Sequence, residues 1–231
     1  MLVLGLETSM LPGSIALCRD GVCLEQRSLQ PGRRHAETLV PEIQRLLADH
    51  GYHLRDCRGN AVSQGPGSFT GLRVGVTCAK TLAYANGAEL AAVSTLAAAA
   101  HNVGADVEHV FVISDAQRGE IFCAEFGRDA EGEWRQSGSV SIVNAQSWSD
   151  ARRAHDVVTG PGLIKYEPLL GGRCRVLPPE TWTPQAAVIA ELGRRRIESG
   201  QTPDMWTLEP FYLRKSAAEE RRDDGEKRQI T

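Results

Sequence analysis

Gln64-Gly-Pro-Gly-Ser-Phe-Thr-Gly-Leu-Arg73 is the stretch on which the reading of this chain turns. It joins a short apolar strand, Asn60 to Ser63, to a segment with Leu72, Val76, Ala79 and Ala83 at helical spacing. A glycine-rich turn between strand and helix presents backbone N–H groups and the positive end of a helix dipole, which suits an anion. It is no Walker A loop, because Leu72-Arg73 follows the last glycine where Lys-Ser/Thr would stand. The competing reading is a structural turn capped by Ser68 or Thr70, and physics alone favours it.

Upstream, Leu2 to Leu6 is a continuous apolar run, as expected of a strand buried on both faces. Gly13–Cys18 and Val22–Leu29 flank Asp20-Gly21, a hairpin signal. After Pro31-Gly32, Leu39, Val40, Ile43, Leu46 and Leu47 form one helical stripe that Gly51 closes, and Pro41 requires a start near His35 to Thr38. Downstream, a strand at Leu90 to Val93 precedes an Ala-rich helix from Ser94 to His101. The order is β-β-β-α-β-α-β-α.

The second half repeats that order in worn form. Strands are expected at 110–113, 121–126, 134–143, 157–158 and around Val176, with helices near Ser147 to Ala154 and Pro184 to Glu198. The chain divides into an N-terminal lobe (1–105), a degenerate C-terminal lobe (106–213) and a charged tail (214–231). Residues 214 to 228 carry six basic and five acidic side chains, the composition of a solvated end.

The 231 residues carry 26 Lys and Arg against 29 Asp and Glu, so no bulk basic field draws in nucleic acid. No apolar run reaches the roughly 18 residues of a membrane span, and Met1 to Leu6 runs into Glu7 without a signal-peptide pattern. Six cysteines without a CxxC pair read as buried reduced thiols, and a cytoplasmic location follows as an expectation.

Several polar groups are candidates for chemistry. Glu7-Thr8-Ser9 follows the first strand, where a carboxylate and two hydroxyls could hold Mg²⁺ or a phosphate, or could bond local backbone. Gly65, Gly67 and Ser68, with Gly160 and Gly162 of a second Gly-Pro-Gly turn, are further anion or nucleotide candidates. His50, His53 and Cys57 have ligand-like spacing but no fourth donor, so surface histidines beside a buried thiol are preferred to a metal site. His35 and Glu37 are two apart at a helix start and do not face each other. Asp115-x-x-Arg118-Gly-Glu120 reads as an ion-paired hairpin turn or an interface contact.

Taken together, Leu4-Gly-Leu-Glu-Thr-Ser9, His35-Ala-Glu-Thr-Leu-Val-Pro41, the Gln64–Arg73 string, Ala79-Lys80, Val93-Ser-Thr-Leu96, Asp115–Glu120 and Pro210–Arg214 resemble the TsaB (YeaZ) family. They occur in the family's order over almost the whole chain; the glycine string is specific and the others are weak singly. The resemblance implies an α/β fold of the actin/sugar-kinase/Hsp70-like (ASKHA) class. It also implies a scaffold or dimerisation subunit that supports a TsaD-type transferase in forming N6-threonylcarbamoyladenosine at position 37 of tRNA. A TsaE-type ATPase is a further implied partner, with a homodimer in isolation and tRNA reached only through the complex.

The catalytic relative TsaD carries an H-x-x-x-H pair on the helix matched here by Val93–Ala99, which places Thr95 and Ala99 at the metal-binding positions. The resemblance therefore implies no catalytic residue, cofactor or metal on this chain, with ATP and metal on the partner subunits. Glu7 stands where the family usually has Asp, a departure that weakens any expectation of ATP handling. A small ATP-binding phosphotransferase or transferase of the same fold is the alternative. Family pairing runs through the first two helices, and Leu39, Ile43, Leu46, Leu72, Val76, Ala79 and Ala83 are the expected seam.

Overall fold

The computed structural model describes residues 1–30, 32 and 34–213, so the charged tail lies outside the described residues. Three strands, β1 (Leu2–Glu7), β2 (Ser14–Arg19) and β3 (Val22–Ser28), form an antiparallel meander. Helix α1 (His35–Asp49) leads to β4 (Gly59–Gly65), α2 (Phe69–Asn86), β5 (Glu89–Ser94) and α3 (Thr95–Ala100). The second half follows with β6 (His109–Gln117), β7 (Glu120–Arg128), β8 (Trp134–Asn144), α4 (Ala145–Asp150), β9 (Val157–Thr159), α5 (Leu163–Leu170), β10 (Arg175–Val176) and α6 (Ala186–Glu198).

The two sheets have one topology. The first is ordered β3-β2-β1-β4-β5 and the second β8-β7-β6-β9-β10. In each, the central strand pairs antiparallel with its hairpin neighbour and parallel with the strand after the first helix, as in Leu4↔Leu17 and Leu4↔Asn60. That repeated order is the duplicated ASKHA arrangement. Helix α5 was not expected: Leu163–Leu170 is only eight residues long and contains Pro168. Helix α4 starts at Ala145 because Asn144 caps it, accepting from the Ser147 N–H at 3.0 Å. Helix α6 begins two residues after Pro184, with Gln185 extended and the Ala186 N–H donated to Ser14 Oγ on β2.

Burial follows the pleat. Leu2, Leu4 and Leu6 of β1 pack under α1 and α2, whereas Val3 faces the other way, under α6. Each fully buried leucine contributes about 1.5–3 kcal/mol. Pro41 sits two turns into α1 on its exposed side, so the carbonyl it leaves unpaired faces solvent.

The third helix of each half crosses over. Leu96, Ala99 and Ala100 of α3 join the core of the second sheet with Val110, Val112 and Phe126. Conversely, Ile189, Ala190 and Ile197 of α6 cover the first sheet. The approach is close: a Cβ at Gly5 would lie 2.2 Å from the Ala186 carbonyl oxygen. After α6 the chain continues over the first half, where Leu208 is buried in the core beneath α1 and α2. Residues 186–213 thus pack on the first sheet although they follow the second in sequence.

Candidate functional site

Between the halves lies a cavity of about 550 Å³, walled by Ser9, Gly67, Phe69, Asp115, Pro161 and Tyr212 among others. The glycine string forms one wall. Ser68 is the N-cap of α2, its Oγ accepting from the Gly71 N–H at 3.2 Å, and its own N–H donates to the Ser9 carbonyl at 2.8 Å. Gly71 and Gly75 bring α2 onto the end of β1: a Cβ at either would lie 2.0 Å from the Thr8 carbonyl oxygen or from Thr8 Oγ1. These glycines serve helix-to-strand packing.

Of the expected anion ligands after β1, only Ser9 lines the cavity. Glu7 and Thr8 are buried, at 1% and 0% exposure. Glu7 Oε1 accepts from the Ser9 N–H at 2.6 Å and from Ser9 Oγ at 2.5 Å, while Oε2 and Thr8 Oγ1 have no partner. Burial pushes the Glu7 carboxyl up to about 7, against a smaller downward pull from its hydrogen bonds with Ser9. The expectation of an accessible carboxylate–hydroxyl ligand set is corrected on this point: burial closes Glu7 and Thr8 to a ligand.

The second Gly-Pro-Gly turn is likewise committed to the fold. Gly160 has φ +110° and a Cβ there would lie 2.4 Å from the Ile113 carbonyl oxygen, to which the Gly162 N–H donates at 2.8 Å. Both glycines are buried; Pro161 alone of the turn reaches the cavity. Across from it, Asp115 accepts from Lys165 Nζ at 3.0 Å, Tyr166 OH at 2.8 Å and the Gln117 N–H at 2.8 Å. The hairpin turn carries Gln117, Arg118 and Gly119 at positive φ.

The mouth is aromatic. Phe69 and Tyr212 stack with centroids 4.7 Å apart, the Arg73 guanidinium lies 4.1 Å from the Phe69 ring, and Arg73 Nε donates to Tyr212 OH at 3.0 Å. The terminal strap is pinned by Phe211 N–H to Gln64 O at 2.8 Å, Gln64 Nε2 to Glu209 O at 2.9 Å and Lys80 Nζ to Leu208 O at 3.0 Å. Sequence reasoning gave Phe211 and Tyr212 no place in the site. An aromatic pair before a charged tail was the available signal.

The expected seam is corrected too. Leu39, Ile43, Leu46, Leu72, Val76, Ala79 and Ala83 are all at most 3% exposed. All but Leu72 belong to the core between α1, α2 and the first sheet, so their side chains serve the subunit's own interior. The outward faces carry other residues: Val40 and Gln44 on α1, and Thr77, Thr81 and Tyr84 on α2, bordered by half-buried Val74, Cys78 and Leu82.

The remaining candidates fall apart spatially. His35 is buried and its Nε2 donates to the Met10 carbonyl at 2.7 Å, whereas Glu37 is exposed. His50 bonds Glu25 Oε2 at 2.8 Å, and the His53 N–H donates to Asp56 Oδ2 at 2.7 Å. Among the described residues no three His, Cys, Asp or Glu side chains converge as a metal site would require. Thr95 and Ala99 are buried in core packing. The cysteines are free, but only Cys18, Cys57 and Cys123 are buried; Cys23 is exposed, and Cys78 and Cys174 are half-buried, which corrects the expectation of six interior thiols. No described helix is long and apolar enough to cross a membrane.

Comparison with known proteins adds three findings. The TsaD family, tRNA N6-adenosine threonylcarbamoyltransferase, matches over residues 29–135, from just after β3 to the start of β8. The tRNA threonylcarbamoyladenosine biosynthesis protein TsaB of Escherichia coli (strain K12) is 28% identical over 225 residues, covering 94% of this chain and 96% of that protein. Two solved structures from Pseudomonas aeruginosa each give a TM-score of 0.78 over 92% of this chain and 99% of theirs. One, 27% identical, is described as YeaZ; the other, 28% identical, is described as an uncharacterized protein with similarity to peptidase YEAZ.

Proposed function

Because the chain belongs to the TsaB (YeaZ) family, we propose that it is a partner subunit in threonylcarbamoyladenosine biosynthesis on tRNA, pairing with a TsaD-type transferase that does the chemistry. The observation that carries this reading is how the polar groups around the interlobe cavity are used. Ser68 Oγ caps α2, Glu7 is sealed from solvent, Gly162 N–H bonds Ile113, and Asp115 is held by Lys165 and Tyr166. A phosphotransferase of this architecture needs such groups turned toward a nucleotide. Here they hold the fold together, and stacked Phe69 and Tyr212 occupy the mouth.

The pairing surface is the outward side of α1 and α2. Val40 is 46% exposed and Tyr84 69%, and small Thr77, Thr81 and Ala85 lie between larger side chains, so another helix pair can approach closely. The same surface serves a second copy of this chain when the transferase is absent. With the transferase bound, the two subunits together form a composite platform for a TsaE-type ATPase, and tRNA is engaged only by the assembly.

Reconstitution tests this. Transferase, ATPase, tRNA and threonylcarbamoyl-AMP, with and without this chain, should give modified adenosine efficiently only when the chain is present. The chain alone should give none. Product formed by the chain alone, or heat released on titrating it with Mg²⁺–ATP, would instead support a small nucleotide-using transferase.

A further inference from the structure

The β2–β3 hairpin turns through Asp20 and Gly21, both at positive φ (50° and 84°), the conformation of a two-residue type I′ turn. Arg19 and Val22 flank the turn, and the next pair out is Cys18 opposite Cys23. In such a hairpin the flanking pair is hydrogen-bonded and the next is not, which is where opposed side chains come closest. Directly opposed residues also point to the same face of the sheet. Their Cβ separation at such a site overlaps the range that a disulfide spans, about 3.5–4.5 Å. The register runs regularly from the turn through this pair and shifts only beyond it, between Leu17 and Cys18.

We infer that Cys18 and Cys23 are a cross-strand thiol pair that takes up a two-electron oxidation, closing a disulfide within the hairpin. Their surroundings divide the work. Cys23 is exposed on the edge strand β3 and meets the oxidant. Cys18 is buried under α6 with Ala16 and Ala190, and burial pushes its thiol up to about 12, so it waits as a thiol. The oxidant is a hydroperoxide. The Cys23 thiolate attacks one peroxide oxygen, the O–O bond breaks, and the leaving oxygen takes a proton to give water or an alcohol. The Cys18 sulfur then attacks the Cys23 sulfenic sulfur; the S–O bond breaks, and hydroxide leaves with the Cys18 proton as water. Two thiols and one hydrogen peroxide give one disulfide and two waters.

None of the other cysteines competes for Cys23. Cys57 and Cys123 are buried, Cys78 lies on α2 across the sheet from α6, and Cys174 belongs to the second half. The bond would fasten the edge strand β3 to β2. Gln26 of β3 accepts from the Ala187 N–H at the start of α6, so the staple also steadies that helix end.

Arg19 lies between the two cysteines, so trypsin places them on separate peptides, residues 1–19 and 20–27. The test exposes the folded full-length chain to hydrogen peroxide, alkylates the remaining thiols, unfolds it and digests it without reductant. The expected product is the 1–19 peptide linked to the 20–27 peptide, released by dithiothreitol and lost in Cys23→Ser. In Cys18→Ser, Cys23 should instead accumulate as a sulfenic acid that dimedone labels, far above the wild-type level. Recovery of both wild-type peptides separately alkylated would overturn the inference. So would a link from Cys23 to any other cysteine, or equal dimedone labelling of Cys23 in wild type and Cys18→Ser.

Discussion

Glu7 ends β1 with one carboxylate oxygen held by Ser9 and the other unpartnered in the interior. Its pKa rises from an ordinary 4.5 to about 7 because burial penalises the charged form. A folded-state pKa above the unfolded one means that the native state binds the proton more tightly. The resulting stability is complete below about pH 4.5, declines as pH rises, and is gone above the folded pKa of about 7. The span corresponds to roughly 3 kcal/mol. Glu7→Gln keeps an oxygen for the Ser9 N–H and removes the ionisation. Its unfolding midpoint in denaturant should vary less between pH 5 and pH 8 than the wild type's, and should exceed it at pH 8. Parallel pH profiles for the two proteins would contradict the assignment. Nothing in the sequence announced this state: Glu7-Thr8-Ser9 reads as a polar group at a strand end, and only the packing of Gly71 and Gly75 against Thr8 shows that the segment is sealed.

At the scale of elements, most of the fold could be read from local pattern. Leu2 to Leu6, the Asp20-Gly21 turn, the α1 stripe and the glycine string each carry a periodicity or turn chemistry of their own. Helix α5 escaped because eight residues with an internal Pro168 give too little period. The crossing of α3 and α6 escaped for a different reason: a helix's stripe shows that it has a buried face, not which sheet buries it. The same limit reversed the seam. Val76 and Ala79 stand in an apolar stripe that either a sheet or a partner helix could cover, and the structure gives it to the sheet. Val76→Glu should therefore place a carboxylate in the core and cost several kcal/mol of stability, read as loss of the cooperative unfolding transition. Val40→Glu and Thr77→Arg, on the outward faces, should leave unfolding within about 0.5 kcal/mol of wild type and abolish pairing in gel filtration. Pairing unaffected by both outward substitutions would remove α1 and α2 from the interface.

The whole molecule is a duplicated fold with a cavity between its halves, around which Ser68 and Asp115 bond to other groups of the fold. Strap residues 201–213 return over the first half, and Tyr212 closes against Phe69 at the cavity mouth. In the partner-subunit reading proposed above, the chain contributes a surface. The most direct test is light scattering coupled to size-exclusion chromatography, on the chain alone and mixed with the TsaD-type transferase from the same source. A 1:1 heterodimer that forms at the expense of any homodimer, and that Val40→Glu and Thr77→Arg prevent, is the predicted result. Two species that elute separately at every ratio, with the ATPase and nucleotide present, would contradict the partner-subunit account.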